Sequence, residues 1–389
     1  MGLAPDSVVV DPWNGSGTTT LATAAIGVHG IGFDLNPVMI LAAKAALLRV
    51  DENIDMKALG EQVLTRSLLF ADAVSDDPLN TWIFPAATQV IRAIEDSINK
   101  SFLGATDYTC LVNTSIINTV QPLAAFFYIC LFRSVRKLLI DFVPTNPTWV
   151  KRPTSLRNRK RPSRQIIERG FLDEVQHLSS CLPSASISES DLRKIEIRLG
   201  DAKSISLASN SVDVILTSPP YCTRIDYAVA TSIELAVLRC SKEQFDSIRR
   251  SLMGNSTVEK TVPTADRMWG ATCLKFLNEL YNHTSQASKT YYYKTHLQYF
   301  SSLKTCIDEA TRVLRRNGRC IFVVQDSHYK EIRNDIAQIT IDMAENAGLH
   351  LLQRKDFLKN NSMSVINSRA KKYLSKRQTA EAVLIFALR

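Results

Sequence analysis

Four short apolar runs, each ending in an acid or a turn motif, constrain this chain more than any other feature. Ser7-Val8-Val9-Val10-Asp11 is the first and Gly30-Ile31-Gly32-Phe33-Asp34 the second. Ile195-Glu196-Ile197-Arg198-Leu199 runs into Gly200-Asp201, and Val212-Asp213-Val214-Ile215-Leu216 runs into Thr217-Ser218-Pro219-Pro220-Tyr221. Short apolar stretches bounded by turn residues read as strands. Thr18 to Ile26, between the first two, has helical composition. Strands alternating with helices predict an α/β fold: a Rossmann-like, doubly wound parallel sheet with crossover helices.

Beyond these runs, Leu303 to Leu314 reads as an amphipathic helix stopped by Asn317-Gly318, followed by a strand over Cys320 to Val324. Leu349 to Arg354 and Ala382 to Leu388 are the last predicted strands, forming a C-terminal antiparallel pair with the basic stretch Lys359 to Arg377 between them. Residues 51–190 differ in character. They hold helical patches at Thr88 to Ile98 and Leu123 to Leu139, then the Pro144-Thr145-Asn146-Pro147 turn and a run from Lys151 to Arg164 with seven basic residues and no acid. The expected organisation is a cofactor-binding half over 1–50, a helical insertion with a basic linker over 51–190, and a catalytic half over 191–389. Ile116 to Phe132 is too short and too interrupted, by Asn118, Gln121 and Pro122, for a membrane span.

The chemistry gathers at the strand ends. Asp11-Pro12-Trp13-Asn14-Gly15-Ser16-Gly17-Thr18-Thr19 follows the first strand. Gly15 and Gly17 permit a sharp turn and close approach of a ligand, and the amides of the following helix point at the same spot. Asp34, nineteen residues after Gly15, can accept the hydroxyls of a ribose. No Lys follows Gly17, which excludes a phosphate-binding loop, and Thr20 stands where a dinucleotide fingerprint wants its third Gly. Asp201 could accept an adenine amino group or simply form an Asx turn. The two prolines of Thr217-Ser218-Pro219-Pro220-Tyr221 remove two backbone donors, so neighbouring carbonyls are free to accept. With Ser218 as a further acceptor and Tyr221 as an aromatic face, the segment can clamp an amino group on a flat ring. A bare turn with Tyr221 as packing is the plainer alternative.

These residues resemble an amino-methyltransferase of the DNA-modification type. The loop from Asp11 to Thr19 is similar to that family's cofactor loop, Asp34 to its ribose-binding acid, and Thr217-Ser218-Pro219-Pro220-Tyr221 to its catalytic motif. A Ser before the prolines resembles the cytosine-amine branch, whereas Asp is usual in the adenine-amine branch. Tyr221 to Leu238, with Arg224-Ile225-Asp226-Tyr227, and Val323-Val324-Gln325-Asp326-Ser327 also resemble such enzymes. The likeness covers roughly residues 7–50 and 195–389. It implies S-adenosylmethionine as cofactor, with Asp11, Pro12, Gly15, Ser16, Gly17, Thr18, Asp34 and Asp201 around it. It also implies methylation of cytosine N4 in double-stranded DNA by Ser218, Pro219, Pro220 and Tyr221. In this class a helix usually precedes the cofactor loop. Only seven residues precede Val8, so that helix is expected either to come from a partner chain or a rearranged segment or to have been lost. The order of the halves, cofactor before catalytic, is the reverse of many cytosine-amine enzymes, and circular permutation accounts for it.

A duplex hides its amines, so the target nucleotide must be flipped out or already single-stranded. The net charge of +9 suits a polyanionic partner. The Lys151–Arg164 run and Arg369 to Arg377 are candidate phosphate contacts, and 51–190 and 241–295 candidate target-recognition segments. Tyr291-Tyr292-Tyr293 could stack on bases, although packing under a helix is the commoner use. Eight scattered cysteines with no CxxC pair point to reduced thiols in a cytoplasmic protein, with no disulfide framework and no metal site. Cys222 invites a covalent-nucleophile reading, but no paired base is evident. Alternatives are adenine-N6 or RNA methylation, or a binding protein on a decayed methyltransferase fold. A nicotinamide dehydrogenase would leave Pro219-Pro220 unexplained.

Overall fold

The structure, a computed structural model, describes residues 2–50, 54–68, 76–104, 111–112, 114–144, 149–182, 187–222, 225–359 and 379–388. Cys110, Arg224, most of the Pro144–Pro147 turn and nearly all of the basic stretch after Lys359, Arg369 to Arg377 included, lie outside the described residues.

The chain opens with β1 (Val8–Asp11), α1 (Thr18–Ala25), β2 (His29–Asp34) and α2 (Pro37–Ala46). A helical stretch follows: α3 (Met56–Ser67), α4 (Pro85–Phe102), α5 (Thr114–Ile117), α6 (Pro122–Leu138), α7 (Arg164–Ser180) and α8 (Glu189–Leu192). Then come β3 (Ile195–Leu199), β4 (Val212–Thr217), α9 (Tyr227–Ala230), α10 (Ser232–Val237), α11 (Lys242–Ser251), α12 (Gly270–Asn282) and α13 (Tyr293–Val313). The chain closes with β5 (Leu314–Gln325), β6 (Ser327–Tyr329), β7 (Ile332–Asn334), α14 (Ile336–Asn346), β8 (Leu349–Lys359) and β9 (Thr379–Leu388).

Seven strands form one sheet in the order β3-β2-β1-β4-β5-β9-β8, and β6 and β7 make a separate hairpin. β1 to β5 are mutually parallel, while β9 runs antiparallel to both β5 and β8. This is the doubly wound, Rossmann-like α/β sheet, with its C-terminal antiparallel pair, that the sequence predicts. Because β1 leads to β2 and β3 on one side while β4 leads to β5 on the other, β1 and β4 flank the topological switch point. Ligands in such sheets bind beyond the carboxyl ends of the strands at that point.

Apolar side chains cover the sheet from two sides. α12, α13 and α14 bury Phe276, Phe300, Leu303 and Met343 against Val10, Ile215, Phe322 and Phe386 of the strands. The helices of 51–190 share a continuous core with α2 and α10, running from Ile40 and Leu41 through Phe127, Tyr128 and Phe171 to Leu235. Pro122 occupies the first turn of α6, where its missing N–H costs nothing, and Lys44 of α2 locks the segment before it by donating to Asn118 O (2.7 Å) and Val120 O (2.9 Å). No described helix is long and apolar enough to cross a membrane.

One predicted boundary is corrected. The helix read as Leu303–Leu314 begins at Tyr293, and Leu314 already belongs to β5. Asn317-Gly318 is not a helix stop. Asn317, at φ 66°, sits in a bulge where pairing jumps from Val212↔Leu314 to Val214↔Arg319. The Asn-Gly pair is favoured in that bulge for the same backbone reason that it favours helix ends: both need a left-handed residue.

Candidate active site

The loop after β1 is built on its own hydrogen bonds. Trp13 N donates to Asp11 Oδ1 (3.0 Å), Asn14 N to Phe33 O (2.8 Å) and Gly17 N to Asn14 O (2.9 Å), folding Pro12 to Gly17 over the end of β2. Gly15 (φ 51°) and Gly17 (φ 92°) both occupy the left-handed region, but their surroundings differ. A Cβ on Gly17 would stand 2.9 Å from Ala43 Cβ, so that glycine lets α1 pack on α2. A Cβ on Gly15 would meet nothing nearer than Trp13 O at 4.0 Å, so the backbone there faces open space. Gly17 caps α1 without a side chain, which leaves first-turn amides unclaimed by a capping group, with Ser16 and Thr18 exposed beside them. Asn14 Nδ2 is buried in the same loop with no hydrogen-bond partner.

Asp34 closes this loop from the next strand. Its Oδ2 accepts from Gly15 N (3.1 Å) and its Oδ1 from Asn36 N (2.8 Å), which occupies about half of a carboxylate's acceptor capacity. Burial raises its pKa to about 6 against the opposing pull of those two amides. Gly200 N donates to Asp34 O (3.0 Å), which brings the Gly200-Asp201 turn alongside. Asp201 itself forms the Asx turn, accepting from Lys203 N (2.9 Å).

Asp11 ties this assembly to β4. It is 5% exposed, and its carboxylate accepts from Thr19 Oγ1 (2.6 Å), Thr217 Oγ1 (2.6 Å) and Trp13 N. Burial raises its pKa, and the same three donors oppose that. These bonds point the carboxylate inward, so it acts as a clamp between the two strand ends. One residue on, Ser218 is exposed and its hydroxyl donates to Val323 O (3.0 Å) of β5, leaving its lone pairs to accept from outside. Pro219 is buried and Pro220 half-buried. Tyr299 of α13, buried in the core, donates its phenol to Pro220 O (2.9 Å) and fixes the second proline's carbonyl.

Tyr221 is half-buried, and its carbonyl oxygen lies 3.3 Å from where a Cβ on Gly254 would sit. Gly254 and Tyr299 also line a cavity of about 420 Å³ with Lys203, Glu259 and Gln298, and none of Ser218 to Tyr221 is part of its lining. Tyr227 stands close enough to Asp34 and Tyr221 to feel both, and burial raises its pKa. Asn36 Nδ2 donates to Thr231 Oγ1 (2.9 Å), joining the end of β2 to the α9–α10 segment.

The loop glycines, Asp34 and Thr217 to Tyr221 therefore meet at the β1–β4 switch, although Asp11 and Thr217 lie 206 residues apart. Thr19 and Thr217 stood inside recognised motifs, but nothing in their spacing assigned them to Asp11. Tyr299 and Asn36 carried no sequence signal, and Thr231 lay within Tyr221 to Leu238 without an assigned role. Cys222 Sγ accepts from Asn334 Nδ2 (3.5 Å), and burial pushes the thiol up to about 12, which disfavours a thiolate. Of the Tyr291–Tyr293 triplet, Tyr291 donates to Ser256 O (2.8 Å), Tyr292 packs on Tyr329 and Tyr293 on Tyr281. Among the described residues no group of three or more His, Cys, Asp or Glu could hold a metal ion.

No protein-family model matches the chain. It is similar to the Type II methyltransferase M.BsoBI of Geobacillus stearothermophilus, 22% identical over 273 residues that make up 66% of this chain and 52% of that protein. It is also similar to the Type II methyltransferase M.AvaI of Nostoc sp. and of Anabaena variabilis, at 28% over 152 residues, 36% of this chain and 31% of either relative. The chain thus has low-identity homologues among Type II methyltransferases and spans about half the length of the first of them. A SAM-dependent methyltransferase from Methanosarcina mazei aligns with 99% of this chain and 94% of its own at 8% identity, with a TM-score of 0.34.

Proposed function

We propose that the chain transfers a methyl group from S-adenosylmethionine to the exocyclic amine of a flipped base in DNA, cytosine N4. The observation that carries this reading is the Asp11 clamp, which joins a glycine loop with open space before Gly15 to the acceptor-rich Ser218–Tyr221 segment. The loop fits the cofactor. Asp34 has acceptor capacity left for ribose hydroxyls, and Gly15, Ser16, Gly17 and Thr18 present backbone to it, with Pro12 stiffening the turn. Asp201 lies beside Asp34 for the adenine edge. When bound, the cofactor supplies an electrophilic methyl group.

The protein's own contribution is placement and charge complementarity. Ser218 Oγ and the Pro219 carbonyl accept the amine hydrogens, drawing electron density onto the nitrogen. Tyr221 stacks on the ring of the extruded nucleotide. Removing the base from the duplex costs a few kcal/mol, which stacking on Tyr221 and the hydrogen bonds to Ser218 and Pro219 offset.

The deciding experiment incubates the purified chain with isotope-labelled S-adenosylmethionine and mixed DNA and RNA, then digests to nucleosides for mass spectrometry. Label on cytosine N4 in DNA is expected. Label on adenine N6 or in RNA moves the substrate, and no label with intact DNA binding identifies a non-catalytic binder. Ser218→Ala and Tyr221→Ala should each lose most turnover while cofactor binding by calorimetry stays; full activity in both would overturn the assignment.

A further inference from the structure

The basic segment between α6 and α7 is anchored to the protein. Lys151 N donates to Phe142 O (2.8 Å), Trp82 Nε1 to Lys151 O (2.8 Å), Lys160 N to Trp82 O (2.8 Å) and Phe84 N to Lys160 O (2.9 Å). Ile83 and Lys160 form a parallel β-bridge. Residues 149–164 are therefore strapped by their backbone across the start of α4 and the end of α6.

Of the seven cations in the strap, Lys160 pairs with Asp141 and Arg164 with Glu168 (3.0 Å). Lys151, Arg152 and Arg157 are exposed and form no ion pair among the described residues. Arg161 lies 4.4 Å over the Phe84 ring, and Trp149 is 60% exposed in the same strap. Leaving a concentrated positive charge unpaired is costly in self-repulsion unless an anion partner completes it. Five of the seven are arginines, whose planar forks match phosphate oxygens.

The strap lies at the end of the helical unit that contacts the α9–α10 segment. Arg92 in the second turn of α4 donates to Val237 O and Ala236 O (2.7 Å for the latter), and Arg136 near the end of α6 donates to Ala230 O (2.6 Å). The end of the helical unit that carries the strap is thus the end fastened to α9 and α10, the helices that follow Tyr221.

We propose that residues 149–164 form a docking surface for the phosphate backbone of the DNA whose base enters the active site. Lys151, Arg152, Arg157 and Arg161 meet successive phosphates, and Trp149 lies against the sugar or an exposed base. This rests on the DNA reading above.

The test titrates a labelled duplex against the full chain over a range of salt, reading anisotropy and tryptophan fluorescence. Removing one cation that neutralises a phosphate should flatten the plot of log affinity against log salt by about 0.9. The triple variant Lys151→Ala/Arg152→Ala/Arg157→Ala is expected to lose about 2–3 from that slope and to bind roughly 10–100-fold more weakly at about 0.15 M salt. Arg152→Lys/Arg157→Lys should keep most of the slope, and Trp149→Phe should lose the fluorescence quenching while binding persists. An unchanged slope in the triple variant overturns the surface and leaves the DNA reading standing. A wild-type chain that binds no duplex overturns both, and salt-sensitive binding to acidic phospholipid vesicles in its place would assign the strap to a membrane.

Discussion

Thr217→Val tests the clamp with minimal steric change. The substitution replaces a hydroxyl by a methyl and removes the 2.6 Å bond from Thr217 Oγ1 to Asp11 Oδ1, while Asp11 keeps Trp13 N and Thr19 Oγ1. A hydrogen bond to a buried carboxylate contributes about 1.5–3 kcal/mol. Unfolding entropy near 2.1 cal/mol/K per residue gives about 0.8 kcal/mol/K for a chain of this length, so melting should fall by about 2–4 °C. The functional effect should be larger than the thermal one. With the loop still folded by Trp13 and Thr19, cofactor affinity should change little. The loop and the Ser218–Tyr221 segment, however, lose their direct tie, and a misplacement of about 1 Å can cost on the order of 100-fold in rate. Turnover in the labelled-methyl assay should drop about 10–100-fold with nearly unchanged affinity by calorimetry, and Thr217→Ser should recover most of both losses. Wild-type turnover in the Val variant, or a Ser variant as impaired as Val, would refute the idea that Asp11 couples the two strand ends.

Three further outcomes follow from the geometry. Asp34 titrates at about 6 in the folded protein, above the ordinary carboxylate range, and accepts hydroxyls most strongly when ionised. Cofactor affinity by calorimetry should therefore fall as pH drops below about 6, while this group's contribution to stability of the ligand-free chain rises over the same window and is lost again as pH climbs through 6. Gly17→Ala forces a Cβ to 2.9 Å from Ala43 Cβ at φ 92° and should cost about 2–4 kcal/mol in denaturant unfolding, with weaker cofactor binding. Burial lowers Lys44 to about 8, so stability from this group should rise as pH goes from about 8 toward the ordinary lysine value. Lys44→Met should abolish that rise and cost about 2–4 kcal/mol by stranding the carbonyls of Asn118 and Val120.

The parallel half of the sheet was legible because each strand announces itself locally. Val8 to Asp11 and Val212 to Thr217 are apolar runs with turn chemistry at their ends, and a sequence window of five or six residues suffices to see them. The place of Ser218 to Tyr221 just beyond a strand was legible because an apolar run leads straight into two prolines, which cannot continue it. What escaped was non-local or degenerate. Asn317-Gly318 fits a helix stop and a strand bulge equally well, and only pairing with β4 decides between them. α13 starts earlier than read because the buried stripe of Leu303 and Ile307 continues back through Phe300 and Leu297, where the polar residues Lys294, Thr295, His296 and Gln298 between them mask it in the sequence. Tyr299 looks like any core aromatic until α13 is laid beside the Pro219-Pro220 turn.

Under the proposed function, the clamp lets chemistry and recognition vary separately on this scaffold. β1 and β4 pair at Val9↔Val214 and Val10↔Ile215, and the side chains of Asp11 and Thr217 extend that pairing beyond the backbone ladder. Past that step the chain leaves β1 toward α1 and leaves β4 toward Pro219, so a crevice must open between them. Its width is set at the base by two strand ends, one carboxylate and two threonine hydroxyls, all of them within motifs shorter than about ten residues. The hydrogen bonds of that base come from Trp13, Thr19 and Thr217, none of which belongs to 51–190 or 241–295. The helical unit reaches the site from outside, through Arg92 and Arg136 on the α9–α10 segment, and α13 reaches it through Tyr299 on Pro220. A change in how the helical unit or its basic strap meets a partner can therefore alter what is presented to Ser218 and Tyr221 without moving Gly15 relative to them.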